Sequence, residues 1–253
     1  MEILFIGTGA GGSPGSNRWR ASSVVFSEET ALLIDCGVGC HYRLGERGLL
    51  KEIDAIFITH YHMDHFLGLP ELLFQAHIEK RSKPLKIIGP NGIESMIRTA
   101  APHLFSNISF SFSVETVKVH ETYKLNDLTL IPAPACHTIE SYGLKILDKK
   151  GNSLGFSSDT SEPCESLISV LKGVKYLVHE ATCDERNKDL CHKYGHSTVL
   201  EAIEAAKAIG AEKLILNHID ENFNNLNSSY QILPKSLNGK VIFANDLDRI
   251  ILS

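Results

Sequence analysis

The apolar positions of this chain come in short runs broken by glycine, asparagine, proline and charged clusters. Runs at Glu2 to Gly7, Ser23 to Ser27, Ala31 to Cys36, Ile53 to Thr59 and Leu85 to Gly89 are β-branched and aromatic and read as strands. Helical spacing follows the third, fourth and fifth of them, including Phe66 to Lys80. Then Ile108 to Thr116, Val117 to Tyr123, Leu128 to Ala133 and Tyr142 to Leu147 predict a mostly antiparallel patch, closed by the turn Asp148-Lys149-Lys150-Gly151-Asn152. From Leu154 to Ser158 onward strands and helices alternate again. Helices are expected near Glu165 to Leu171, Val199 to Ile209 and Ser228 to Leu233, and strands at Tyr176 to Val178, Lys213 to Leu216 and Lys240 to Phe243. No long repeat or low-complexity linker divides the chain, so residues 1–253 read as one α/β domain, two sheets face to face with helices outside.

Polar residues concentrate where the apolar runs stop. Thr59-His60-Tyr61-His62-Met63-Asp64-His65 sets three imidazoles and a carboxylate at a strand-to-helix turn. His60 and His62, two apart, point the same way if strand geometry persists, whereas Asp64 and His65 fall on the next turn and point elsewhere. One loop could thus serve two neighbouring ions. Nitrogen and carboxylate donors suit zinc, and also manganese or iron, while thiolates, absent from this loop, would have narrowed the choice. Solvated surface histidines are the alternative. Further ligands are expected at strand ends, where His137, Asp159 and His218 stand. The string Gly7-Thr8-Gly9-Ala10-Gly11-Gly12 matches a dinucleotide fingerprint, with Asp35 where a ribose-binding acid would be sought. The residues after it contain Pro14, Gly15 and Asn17 and no helical period, so a glycine loop passing close to the metal centre is expected instead.

Composition changes little. With 253 residues, 43% apolar, and a formal charge of −5, the chain can bury a substantial core and has no global pull toward nucleic acid. Met1 to Ile6 lacks the features of a signal peptide and no run approaches a membrane span, so a cytoplasmic protein is expected. Cys36, Cys40, Cys136, Cys164, Cys183 and Cys191 form no CxxC pair, and reduced thiols are the default. Thr198 and Glu201 form a capping box for a helix ending at Gly210, which pins His196 just before a helix amino terminus.

The order HxHxDH, His, Ser-Asp-Thr, His resembles the metallo-β-lactamase superfamily across almost the whole chain. His179-Glu180-Ala181-Thr182, Gly195-His196-Ser197-Thr198, the opening Met1 to Gly9 and Ile88 to Ile93 resemble its ribonuclease Z branch. The resemblance implies an αββα four-layer sandwich, a homodimer, and two divalent ions. His60, His62 and His137 would hold one, Asp64, His65 and His218 the other, with Asp159 bridging. It implies phosphodiester hydrolysis by a metal-bridging hydroxide, with Asp64 orienting the nucleophile, His196 serving the leaving group and Glu180 orienting His196. An alkoxide leaving group needs such a proton donor and a thiolate does not.

Departures from that branch bear on substrate. The arm that grips tRNA there is missing, because Leu147 reaches Leu154 through a short turn. Ile219-Asp220-Glu221 follows His218, and an acidic pair disfavours a bulky polyanion. Lys80, Arg81, Lys83 and Lys86, or Lys149 and Lys150, could form a phosphate track or a solvated face. The substrate is accordingly an RNA end or a smaller phosphodiester such as a cyclic nucleotide. The alternatives are an ester, thioester or lactone hydrolase of the same fold, or a metal-binding carrier or assembly protein without turnover. His41, His77, His103, His120 and His192 read as structural or surface residues.

Overall fold

Strands that are apolar on both faces must be covered on both, and the chain meets this demand with four layers. The structure, a computed structural model, describes residues 1–11, 15–103, 108–233, 237 and 239–252; Gly12 and Pro14 of the glycine loop lie outside them. The first half contributes β1 (Glu2–Gly7), β2 (Ser22–Phe26), β3 (Ala31–Ile34), β4 (Ala55–Phe57), β5 (Leu85–Gly89) and β6 (Phe112–Thr116), joined at the edge by the final strand β14 (Arg249–Ile251). Their order is β14-β1-β2-β3-β4-β5-β6, antiparallel up to β3 and parallel from β3 to β6. The second half gives β7 (Tyr123–Leu125), β8 (Leu128–Pro134), β9 (Tyr142–Asp148), β10 (Ser153–Phe156), β11 (Tyr176–Glu180), β12 (Lys213–Asn217) and β13 (Val241–Phe243). That sheet runs β13-β12-β11-β10-β9-β8-β7, parallel from β10 to β13 and antiparallel elsewhere.

Alternation along each strand divides the core. Ile3, Phe5, Leu32, Ile34 and Phe57 face Leu130, Leu144, Ile146, Val178 and Ile215 between the sheets. Leu4, Ile6, Leu33, Ile56 and Ile58 face outward onto α1 (Cys40–Glu46), α3 (Leu69–Ile78) and α4 (Ile93–Ala100). On the far side Leu177, Leu214 and Leu216 meet α5 (Glu165–Leu171) and α7 (Val199–Ile209). α7 opens on the expected Thr198–Glu201 capping box and stops at Gly210 in the left-handed region. The αββα sandwich is therefore as expected.

Several local expectations fail. Val117 to Tyr123 is not a strand: it is the crossover from the first sheet to the second, with a turn at His120 (φ 72°), and the strand begins only at Tyr123. Phe112–Thr116 belongs to no antiparallel patch, because α4 carries the chain over to lay it parallel to β5. The helix expected from Phe66 to Lys80 is broken at Gly68 into α2 (Met63–Phe66) and α3. α6 (Lys188–Lys193) and β14 were not anticipated. Cys136 is bonded to Cys164 and Cys183 to Cys191, so only Cys36 and Cys40 are free. These partners are 28 and 8 residues apart in sequence, with Cα atoms at 5.7 and 6.0 Å. Only folded loops reveal them.

The basic cluster resolves into structure. Arg81 is buried and donates to the carbonyls of Leu50, Ile53, Lys83 and Pro84. Lys83 pairs with Asp54 at 2.8 Å and Lys86 with Glu115 at 2.9 Å. Lys149 and Lys150 pair with Glu29 and Glu28, at the amino-terminal ends of β10 and β3. Among the described residues, no helix is long and apolar enough to cross a membrane.

Asp127, in the two-residue turn of the β7–β8 hairpin, ties that hairpin to the β2–β3 turn of the other sheet. It accepts from the hydroxyls of Ser27 (2.6 Å) and Thr30 (2.7 Å) and the amides of Glu28 and Glu29. Burial opposes its charge, but these donors hold its carboxyl below the ordinary 3.8. Asp127→Ala is expected to lower stability by about 1–3 kcal/mol in urea titrations. A depressed carboxylate pKa stabilises above the unfolded value and stops doing so as pH falls through the folded one. The gap between wild type and variant should therefore hold at neutral pH and close below 3.8.

Candidate metal centre

Strands β4, β8, β10 and β12 end at one edge of the sandwich, and the polar residues after them meet there. His60, His62, Asp64 and His65 follow β4, His137 follows β8, Asp159 follows β10 and His218 follows β12. The Thr59 carbonyl accepts from the Tyr142 amide at 3.1 Å, holding the two edges together.

Two groups of donors converge. His60 Nε2 is 3.2 Å from His62 Nδ1, which is 3.0 Å from His137 Nε2, with Asp159 Oδ2 3.5 Å from His60. His65 Nε2 is 3.0 Å from His218 Nε2, which is 3.3 Å from Asp64 Oδ2. Asp159 reaches this group too, Oδ2 to His65 at 3.2 Å and Oδ1 to His218 at 3.4 Å. Ligands about 2.0–2.1 Å from a tetrahedral ion lie roughly 3.3 Å apart, so these separations fit divalent metal binding.

The outward ring atoms are held. His65 Nδ1 faces Asp35 Oδ2 at 2.7 Å, His137 Nδ1 the Gly195 carbonyl at 2.7 Å, His218 Nδ1 the Thr182 hydroxyl at 3.0 Å, and His60 Nδ1 the Thr59 hydroxyl at 2.9 Å. Such contacts fix which nitrogen points inward. Gly11 donates its amide to Asp64 at 2.6 Å, so the glycine loop does pass the centre.

Charge is partitioned to match. Burial pushes His60 down to about 4, with His65 adding to it, and burial also lowers His62 and His137. Three neutral imidazoles are the form that binds a cation. Burial opposes charge on His65 as well, but Asp159 and Asp35 raise it well above the ordinary value. Asp64 and Asp159 are held well below the usual carboxylate range, burial being outweighed by His65 and His218.

Glu180 and His196 stand beside this cluster. Glu180 Oε1 is 2.9 Å from His196 Nδ1 and accepts from the Thr160 amide, while Oε2 accepts from the Thr182 amide and hydroxyl. Burial opposes the charge, yet Glu180 pushes His196 up to about 9. His196 Nδ1 lies 3.9 Å from Asp159.

Every residue expected at the site is thus brought to one edge. The sequence reading missed Asp35, dismissed with the dinucleotide motif, and Thr59, Thr182 and the Gly195 carbonyl. The signal for Asp35 was available: it closes an apolar strand as the candidate ligands do. Nothing local marks a carbonyl.

The fold and this site define a metal-dependent hydrolase of the metallo-β-lactamase fold, ribonuclease Z-like. Human short-form tRNase Z is 26% identical, with 100% of both chains covered and a TM-score of 0.83. The metallo-β-lactamase fold protein YhfI of Bacillus subtilis is 22% identical over 98% of each chain, also with a TM-score of 0.83. Ribonuclease Z of Methanothermobacter thermautotrophicus is 27% identical over 92% of each chain, and that of Sulfolobus acidocaldarius 28% identical over 88% and 89%. Within that class the chain belongs to the family described as Anti-Pycsar protein Apyc1, whose model matches residues 1–233.

Asp35→Asn should leave the fold intact while weakening divalent-metal binding roughly 10- to 100-fold, since it removes the charge and leaves one oxygen where His65 and the Thr59 amide each use one. Competition against a chromogenic chelator measures this, and an unchanged affinity would remove Asp35 from the site.

Proposed function

We propose that the protein hydrolyses small phosphodiesters, with 3′,5′-cyclic nucleotides as the substrate class, using two zinc ions. His60, His62 and His137 would hold one ion and Asp64, His65 and His218 the other, with Asp159 between them. The observation that carries phosphodiester chemistry is the Glu180–His196 pair beside the ligand cluster: an imidazolium at that place can protonate a departing alkoxide. Bound ions would supply Lewis acidity toward the phosphoryl oxygens. The protein's own residues do the rest. Glu180 keeps the His196 proton at Nδ1 and turns Nε2 outward, and Asp64, fixed by the Gly11 amide, orients the attacking water.

The surroundings of the site favour a small substrate. β9 and β10 are joined by a tight turn, with Ser153 opposite Leu147, where the branch carries its tRNA arm. Lys83, Lys86, Lys149 and Lys150 of the two basic clusters are paired with acids, at or just before the first residues of β5 and β10 and away from the ligand edge. Glu221 stands two residues beyond Ile219, held by Ser16, Asn17 and Arg18. An RNA backbone needs the opposite charge. Cleavage of RNA ends is the second reading, favoured by the names of the ribonuclease Z relatives. A homodimer rests on the resemblance alone and a cytoplasmic location on the sequence pattern, and thiol counting on freshly purified protein bears on the compartment, since disulfides persist where conditions are oxidising.

Metal-reconstituted protein is expected to turn over cyclic nucleotides with a higher kcat/KM than precursor tRNA, and to lose both activities on chelation. The reverse preference would favour the RNA reading. Turnover only of a carboxylic ester, thioester or lactone would overturn the phosphodiester reading, and two bound ions without any turnover would point to a carrier. His62→Ala should lower metal content and abolish activity. His196→Ala should keep both ions yet lose roughly 10²- to 10⁴-fold on cyclic nucleotides and far less on bis(p-nitrophenyl) phosphate, whose leaving group needs no proton.

A further inference from the structure

Behind the Glu180–His196 pair lies a second carboxylate–imidazole pair that the proposed chemistry leaves unused. His179 is on β11 with 0% of its surface exposed. Its Nδ1 is 2.7 Å from the Glu180 carbonyl oxygen and its Nε2 is 3.2 Å from Glu162 Oε1. The other oxygen of Glu162 accepts the Cys164 amide at 2.7 Å. Both ring nitrogens face oxygens, and a carbonyl can only accept. With Glu162 as a carboxylate the ring donates in both directions and is an imidazolium, each charge neutralising the other where neither could stay charged alone.

The pair sits where the β-ladder stops. β10 ends at Phe156, opposite Val178, so the Glu180 amide and carbonyl on that side have run past their neighbouring strand. The Ser157 hydroxyl accepts from the amide at 3.0 Å, and the His179 ring takes the carbonyl. Side chains therefore hold the main chain of Glu180. Glu162 belongs to the same loop as Asp159 and Thr160, and Thr160 donates to Glu180 Oε1 at 3.0 Å.

We infer that His179, clamped by Glu162, is a positioning residue that sets the Glu180 backbone and through it the direction of the His196 proton donor. For its activity readout this rests on the phosphodiesterase reading above. Burial works against charge on His179, but Glu162 raises its pKa, in the sense the hydrogen-bond geometry requires.

Two conservative variants separate the ring's contacts. In His179→Asn the amide nitrogen stands near Nδ1 and keeps the bond to the Glu180 carbonyl; in His179→Gln it stands near Nε2 and keeps only Glu162. With metal content unchanged, His179→Gln should lose roughly 10- to 100-fold in kcat on 3′,5′-cyclic nucleotide relative to bis(p-nitrophenyl) phosphate. His179→Asn should keep the wild-type ratio. Equal loss on both substrates, or the same ratio change in both variants, would overturn the inference. Long-range ¹H–¹⁵N spectra of the wild type give an independent readout should either variant fail to fold: both His179 nitrogens must be protonated at neutral pH, and a neutral ring sinks the proposal. Should the wild type hydrolyse neither diester, the site reading fails. The Nδ1 proton of His196 then decides, since it should shift in His179→Gln and not in His179→Asn.

Discussion

Imidazole nitrogens 3.0–3.2 Å apart repel unless a proton or a cation lies between them, and at this edge the fold forces three such contacts into two adjacent clusters. Protons alone do not satisfy the set. Burial keeps His60, His62 and His137 from becoming imidazolium, so lone pairs converge with too few hydrogens. The architecture around the site opposes this repulsion. Outer ring atoms are tied to Asp35, Thr59, Thr182 and Gly195, and the strands behind them are buried on both faces. A divalent cation turns the mutual repulsion of these donors into binding energy.

Holding donors that close requires sharp turns directly after straight strands. Asp35, Ser158 and His218 all have φ near 60°, the left-handed region that costs an L-residue roughly 1–2 kcal/mol. Each stands just beyond β3, β10 or β12. The turns stop the ladders and throw side chains inward across the edge rather than along the strand. The same abrupt ending exposes main-chain groups that the next strand would have paired. Side chains near the site therefore serve the backbone as much as the chemistry: Ser157 and His179 for Glu180, and Asp35 for the Thr59 amide.

How much of this could be read from the residues alone follows from range. His60, His62, Asp64 and His65 are local, and His137, Asp159 and His218 each close an apolar strand, so a period-two pattern that stops at a metal-binding residue was sufficient to find them. Glu180 and His196 needed the family resemblance, because one glutamate ending a strand and one histidine before a capping box carry no chemistry in isolation. The pairing of Phe112–Thr116 with β5 was not legible, since α4 decides it and residue pattern does not encode direction. Nor was β14, three residues long at the sheet edge. The disulfides were hidden because loop proximity, not spacing, brings those sulfurs together.

Both disulfides lie at this same edge. Cys136 immediately precedes His137, past the end of β8, and its partner Cys164 follows Glu162 at the foot of α5. Cys183 follows Thr182, and its partner Cys191 lies on α6, where its carbonyl accepts the His196 amide at 2.9 Å. Both crosslinks thus restrain loops that bear on His137 or His196 and that no ladder holds. Closing loops of this kind removes chain entropy worth on the order of 2–4 kcal/mol from the unfolded state. His60, which follows β4 and sits beside the Thr59 hydroxyl, needs no such staple. Covalent restraint is added here to hydrogen bonds between loops, such as those from the Ser161 amide to the Cys136 carbonyl at 2.7 Å and from the Cys183 amide to the Ser197 carbonyl at 3.4 Å.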